Sequence, residues 1–293
     1  MPETGSGQRG GVRGTYPVYS LRVSCPTILA SVVNFGRRGR FLRGTVISLV
    51  VLAVVCVVAV GGFVVWAQSP HSAEPEALAQ ANESPGVRID VAPDVVVVEP
   101  TEAEPDTGIV FYPGGRVEPE AYAASWAPIV AEGGVRVLIP SMPLNLAVFD
   151  TDRADDTVAE HGGDVENWYV GGHSLGGSMA AGHIGDAPEI DVVGLVLWGS
   201  YATESAGLAQ RDDLHVLSVS AAQDGLSDPV TTAENRKNLP AEAVTHEIAG
   251  MNHAQFGAYG DQRGDGTARI GEAEARERLA ETMLDFLDSA PEG

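Results

Sequence analysis

The chain has 293 residues, 44% of them hydrophobic, and carries 40 acidic against 18 basic residues for a formal charge of −22. That length and apolar content allow one sizeable core with a segment to spare, and the acidic balance argues against gripping nucleic acid or an anionic lipid surface. Both cysteines, Cys25 and Cys56, lie near the N-terminus, so the long remainder holds no disulfide.

Residues 1–43 contain seven arginines and one acid, Glu3, among Gly and Ser, and read as a basic, disordered cytoplasmic tail. Residues 44–67 read as a transmembrane helix, because Thr45 to Ala67 offers 23 positions without a charge. Arg37, Arg38, Arg40 and Arg43 precede this run and the first acid after it is Glu74, an asymmetry that leaves the N-terminus in the cytoplasm and the remainder outside the cell membrane. Trp66 would mark the outer interface. Cleavage after Val65-Trp66-Ala67 and secretion is the rival reading, but the long basic segment and long apolar run favour an uncleaved anchor. Cys56 follows Val54 and Val55, not the small residues that a lipoprotein cleavage site needs.

Residues 68–86, rich in Pro, Ser, Ala and Glu without a sustained period, read as a stalk. Beyond residue 67 there are 39 acidic and 11 basic residues, a balance of −28, and Lys237 is the single lysine of the chain. Such a composition resembles that of proteins from high-salt organisms, where ions screen the repulsion among carboxylates.

Residues 87–293 read as one domain. "VRIDVAP" and "DVVVVEPT" suggest an antiparallel pair of strands; Gly108–Tyr112, Val135–Pro140, Val165–Gly171, Val192–Trp198 and Leu214–Ser220 are short Val/Leu-rich runs of buried strand type, and "VTHEIAG" is one more. Helical segments alternate with them. The last, "GEAEARERLAETMLDFLDS", aligns Leu279, Met283, Phe286 and Leu287 on one face. The alternation predicts an α/β fold, a mostly parallel sheet of about eight strands with helices on both faces.

The run ending at Gly171 leads into Gly172-His173-Ser174-Leu175-Gly176, a G-x-S-x-G pattern followed by the small residues Gly177, Ser178, Ala180, Ala181 and Gly182. A sharp strand-to-helix turn needs such small neighbours, and it would present Ser174 as a nucleophile. A serine hydroxyl needs a base to take its proton. Of seven histidines only His253 falls in a loop just past the final strand; His71 is in the stalk segment, His161 precedes the serine's strand, His183 lies in a helix, and His215 and His246 lie in strands. The base in turn needs a carboxylate. Asp224, at the carboxyl end of the strand before "DG", is the candidate, with Asp228 as the alternative or else a helix N-cap before Pro229. Two backbone amides would hold the oxyanion, that of Leu175 and one from "PGG" after "GIVFY", where Gly115 is chosen over Gly114. "SMPLNLAVFD" offers Leu144, Leu146 and Phe149 to an acyl pocket or to the core.

The motifs "FYPGG", "GGHSLGG", "QDG" and "GMNHAQFG" together resemble those of the α/β-hydrolase superfamily, in its compact group related to dienelactone hydrolases. The resemblance implies the α/β-hydrolase fold, no cofactor, and hydrolysis of a small-molecule ester or thioester. Dienelactone hydrolases proper use a cysteine where this chain has Ser174, so their substrate does not carry over. Only about a dozen residues separate Trp198 from Asp212, where many relatives insert a lid, and little or no lid is expected. Peptidase or acyltransferase chemistry, or an inactive binding module on the same fold, are the alternatives. No metal cluster is expected, and "RGD" at Arg263–Asp265 reads as part of a glycine-rich loop.

Overall fold

The computed structural model describes residues 27–102 and 104–290, with side chains from Thr45 onward. The chain divides into two units, Met1–Val60 and Gly61–Gly293. In the first, residues 1–26 of the expected tail lie outside the described residues, and residues 27–43, expected to be disordered, are the opening turns of α1 (Thr27–Ala67). A helix once nucleated extends at little cost through Leu, Ala and Arg. Within α1 the stretch Thr45–Ala67 is long and apolar enough to cross a membrane.

In the second unit the eight expected strands form one sheet. They are β1 (Val87–Val91), β2 (Val95–Pro100), β3 (Thr107–Tyr112), β4 (Arg136–Pro140), β5 (Asn167–His173), β6 (Val192–Trp198), β7 (His215–Ala221) and β8 (Val244–Ile248). Their order is β1-β2-β4-β3-β5-β6-β7-β8. The β1–β2 and β2–β4 pairs are antiparallel and the rest parallel. Parallel strands covered on both faces need apolar residues on both, which is why β3 and β6 are buried along nearly their whole length.

Helices α3 (Ala123–Gly133) and α7 (Glu272–Asp288) pack against each other over one face, where Trp126, Trp198, Phe111, Leu279, Met283 and Phe286 share a core. The expected apolar stripe of α7 is buried at Leu279, Met283 and Phe286, and Leu287 is partly covered. Helices α4 (Arg153–His161) and α5 (Leu175–Gly185) contribute Ala154, Ala180, Ala181 and Ile184 to a second core on Val110, Leu138, Val170 and Leu195. Helix α6 (Pro229–Asn235) packs near β7.

Residues 68–86, expected as a stalk without a sustained period, contain α2 (Pro75–Asn82), which buries Ala77 and Ala81. Ahead of it His71 forms a parallel bridge with Val117, its amide donating to the Arg116 carbonyl at 2.6 Å. Alanine is small enough for a helix to bury without leaving a strong apolar period in the sequence, and Pro75 sits at the helix start, where its missing N–H costs nothing.

Candidate active site

The parallel strands β3, β5, β6, β7 and β8 end on one edge of the sheet, and Gly115, Ser174, Leu175, Asp224 and His253 lie in the segments that follow these strand ends. Tyr112 of β3 is paired with Gly172 of β5, and Trp198 of β6 with His173. The segment after β3 therefore lies beside the turn that follows β5.

Ser174 occupies that turn with φ 53° and ψ −123°, a left-handed backbone that a residue with a Cβ adopts only when its surroundings enforce it. The enforcement is visible on both sides. A Cβ on Gly172 would come 2.6 Å from the Gly176 carbonyl carbon, and one on Gly176 would run into the Tyr112 and Pro113 carbonyl oxygens. The Ser174 amide donates to the Trp198 carbonyl at 3.0 Å, and the Ser174 carbonyl accepts from Ser200 Oγ at 2.7 Å. Helix α5 starts immediately afterwards, so the Leu175 amide is one of the helix's unpaired N-terminal donors and has no acceptor among the described residues.

Asp224 and His253, which are 29 residues apart, meet. Asp224 Oδ2 lies 2.7 Å from His253 Nδ1, and both side chains are about 1% exposed. Asp224 Oδ1 accepts from the amides of Leu226 at 2.8 Å and Ser227 at 2.6 Å, so the buried carboxylate is satisfied on both oxygens. The His253 ring lies tilted against that of His173, the residue before Ser174, with centroids 4.4 Å apart, and His253 Nδ1 lies 3.2 Å from where a Cβ on Gly199 would be. The imidazole thus borders the serine turn. Among the described residues no hydrogen bond joins Ser174 Oγ to His253; such bonds are often long until substrate is present.

The two glycines after Pro113 differ. Gly114 donates its amide to the buried Tyr122 hydroxyl at 2.8 Å, whereas the Gly115 amide has no acceptor among the described residues. Gly115 also faces Leu175: a Cβ there would lie 3.4 Å from Leu175 Cδ2 and 3.5 Å from Leu146 Cδ2. Of the three suggested pocket residues, Leu146 is therefore beside Gly115, Leu144 is partly buried, and Phe149 is exposed with its ring 6.2 Å from that of Phe63. Between Trp198 and β7 run only two short 3₁₀ turns, Glu204–Ala206 and Leu208–Gln210, with no inserted lid.

The alternatives fall elsewhere. Asp228 caps α6, accepting from the Val230 amide at 3.3 Å. His183 is buried in α5 near Asp155, 3.4 Å away. His161 bonds Asp94 at 2.8 Å, and with Glu160 the pair forms a group of possible metal ligands that the sequence spacing did not indicate. The bond to His161 holds the Asp94 carboxyl below its usual range, which an ordinary His–Asp pair accounts for.

A model of the alpha/beta hydrolase family matches residues 108–277, more than half of the chain, including Gly115, Ser174, Leu175, Asp224 and His253. The chain belongs to the alpha/beta hydrolase family. No curated protein matches the sequence. Among solved structures, the hydrolase is similar to an alpha/beta hydrolase enzyme from the metagenome of sediments from the lagoon of Mar Chica, Morocco, at 20% identity, covering 69% of this chain and 98% of that one with a TM-score of 0.51. It is similar also to a predicted CIB-like hydrolase from Thermoplasma acidophilum, at 14% identity over 69% and 99% with a TM-score of 0.51. A thermostable esterase from Pseudomonas putida matches at 14% identity over 74% and 89%, with a TM-score of 0.50. At these identities the likeness is one of fold.

Sequence reasoning gave no site role to two residues of the hydrolase that border the site, Tyr122 and His173. Tyr122 Oη accepts from Gly114 and lies 2.9 Å from His173 Nδ1, so one phenol ties the loop after β3 to the residue before Ser174. Burial, and after it the neighbouring His253, push the His173 imidazole well below its ordinary pKa and hold it neutral. Burial likewise raises the Tyr122 phenol, which stays protonated. His173 was in view as the variable residue of the motif, but nothing local marks Tyr122 as its partner 51 residues away.

Proposed function

We propose that the chain is a membrane-anchored serine hydrolase of carboxylic esters or thioesters, with Ser174 as nucleophile, His253 as base and Asp224 as its orienting acid. The observation that carries this reading is the buried 2.7 Å contact of Asp224 with His253 Nδ1, beside a serine held at positive φ. With Nδ1 engaged by a carboxylate, the imidazole keeps its proton there and offers Nε2 to the serine hydroxyl. Ser174 Oγ attacks the acyl carbon as its proton passes to Nε2. The carbonyl oxygen takes up the negative charge and is met by the amides of Leu175 and Gly115. Collapse expels the alcohol or thiol, which leaves with the proton from His253. Water then attacks the acyl-serine with His253 again as base, releasing the acid and freeing Ser174.

No residue in this cycle calls for a metal or an organic cofactor. The short connection after β6 supports an open site that admits small-molecule esters without a lid motion. Anchoring rests on Thr45–Ala67, whose window is apolar and free of burial, and the arginines before it put the catalytic domain on the extracytoplasmic side.

The test is a panel of p-nitrophenyl esters of increasing acyl length. The wild-type chain should hydrolyse at least the shorter members and Ser174→Ala none above background. Activity that survives in Ser174→Ala would overturn the assignment, and a wild type inert on every ester and thioester would favour the binding-module alternative. Anchoring is checked by a carbonate wash of membranes: a spanning helix stays behind, whereas soluble protein beginning at Gln68 would show a cleaved signal instead.

A further inference from the structure

Asp265 lies in the loop read from sequence as a glycine-rich connection, and its two oxygens accept four backbone amides drawn from three segments. Oδ1 takes Gly225 at 3.0 Å, His253 at 3.2 Å and its neighbour Gly266 at 2.7 Å, while Oδ2 takes Ala254 at 2.9 Å. Gly225 follows Asp224 directly. One carboxylate therefore holds the loop that carries the acid and the amide of the base itself.

The surroundings leave this loop little freedom to shift. A Cβ on Gly225 would come 2.6 Å from the Gly266 nitrogen and 2.8 Å from the Gly264 carbonyl oxygen, and one on Gly266 would strike the Gln223 carbonyl oxygen. The Gln223 amide in turn donates to the Met251 carbonyl at 2.8 Å, and Asn252 Nδ2 to the Gly266 carbonyl at 2.9 Å. Besides Asp224 itself, Asp265 reaches both the acid loop and the base loop through its own charged group. Charge-assisted bonds from a carboxylate to several amides are among the strongest a loop can make.

We infer that Asp265 is a positioning residue for catalysis, a clamp that fixes the separation and orientation of Asp224 and His253. The inference rests on the triad reading above. Asparagine at this place keeps the shape but replaces one acceptor oxygen by an NH₂ group, which cannot accept an amide and faces one instead. The acid and base loops would then hold their spacing less well, and displacements of this kind near a reacting centre cost about 10- to 100-fold in rate.

The experiment compares full-length wild type, Asp265→Asn and Asp265→Glu. Active sites are counted by fluorophosphonate labelling, and kcat and KM for one ester are measured per labelled site. Asp265→Asn should lose about 10- to 100-fold in kcat with KM little changed, and its labelling rate constant should fall in parallel, because both depend on His253 activating Ser174. Asp265→Glu, which keeps the charge but moves the oxygens by one methylene, should recover part of the loss. Normal kcat per labelled site with merely fewer sites would mean Asp265 only supports folding and would overturn the inference, as would a change confined to KM. If Asp265→Asn does not fold, Asp265→Glu is read in the same way, and normal kcat per site in that variant overturns the inference. Ser174→Ala serves as the separate control: if it keeps activity the triad reading fails, whereas normal per-site kcat in the Asp265 variants with Ser174→Ala inert removes the clamp alone.

Discussion

Asp224 and His253 form a buried pair, Oδ2 to Nδ1 at 2.7 Å, while the second oxygen of Asp224 is held by the amides of Leu226 and Ser227. A carboxylate removed from water is tolerable only when its lone pairs are occupied, and here the chain supplies every partner. The contact engages Nδ1 of His253 and leaves Nε2 for another partner. Asp224→Asn keeps the shape but favours the wrong tautomer, so kcat should fall by about four orders of magnitude, as in other serine triads. Asp228→Asn should leave kcat within about twofold and stability little changed, because Asp228 only caps α6 and asparagine caps a helix about as well as aspartate. Steady-state kinetics and thermal unfolding of the two variants check both outcomes.

His173 gives the fold a dependence on acid. Burial and the neighbouring His253 depress its pKa in the folded state relative to the unfolded chain, where it sits near 6.5. The unfolded chain therefore binds the proton first as pH falls. Stability from this group is complete above about pH 6.5 and declines below it, by up to about 1.4 kcal/mol per pH unit for one proton. His71 and His215 are shifted the same way by partial burial and add to the trend. Thermal midpoints measured from about pH 7.5 down to pH 5 should fall in wild type and fall less steeply in His173→Gln. Equal slopes in the two proteins would contradict the assignment.

Salt should stabilise the domain. Beyond residue 67 the balance is −28, and the arginine–carboxylate pairs among the described residues are few: Arg88 meets Asp90 and shares Glu99 with Arg136, Arg211 meets Asp213, and Arg278 meets Glu274. Most carboxylates thus repel one another without a cation close by. Molar NaCl shortens the screening distance to about 3 Å and should raise the thermal midpoint over that at low salt. A flat or falling midpoint would mean that the acids are spaced too widely to matter.

Much of this architecture was legible in the sequence for a definite reason. Strands buried on both faces must be continuous apolar runs, so β3, β6 and β7 announce themselves, and the glycines around Ser174 mark where backbones touch. Asp224 and His253 could be placed because each stands just past a strand end on the same edge of the sheet. Helix α2 was missed because it buries only Ala77 and Ala81, which barely alter the local hydropathy. The partners of Tyr122 and Asp265 were missed for another reason: side-chain bonds to backbone amides across 8 to 40 residues leave no periodic trace.

The central claim is that Ser174 is a nucleophile activated by His253. Reaction of the full-length protein with a fluorophosphonate, followed by peptide mass analysis, tests it most directly. The account predicts one covalent adduct, on the peptide containing Ser174, absent in Ser174→Ala and formed far more slowly in His253→Ala. An unlabelled wild type, or an adduct on another residue that persists in Ser174→Ala, would contradict it.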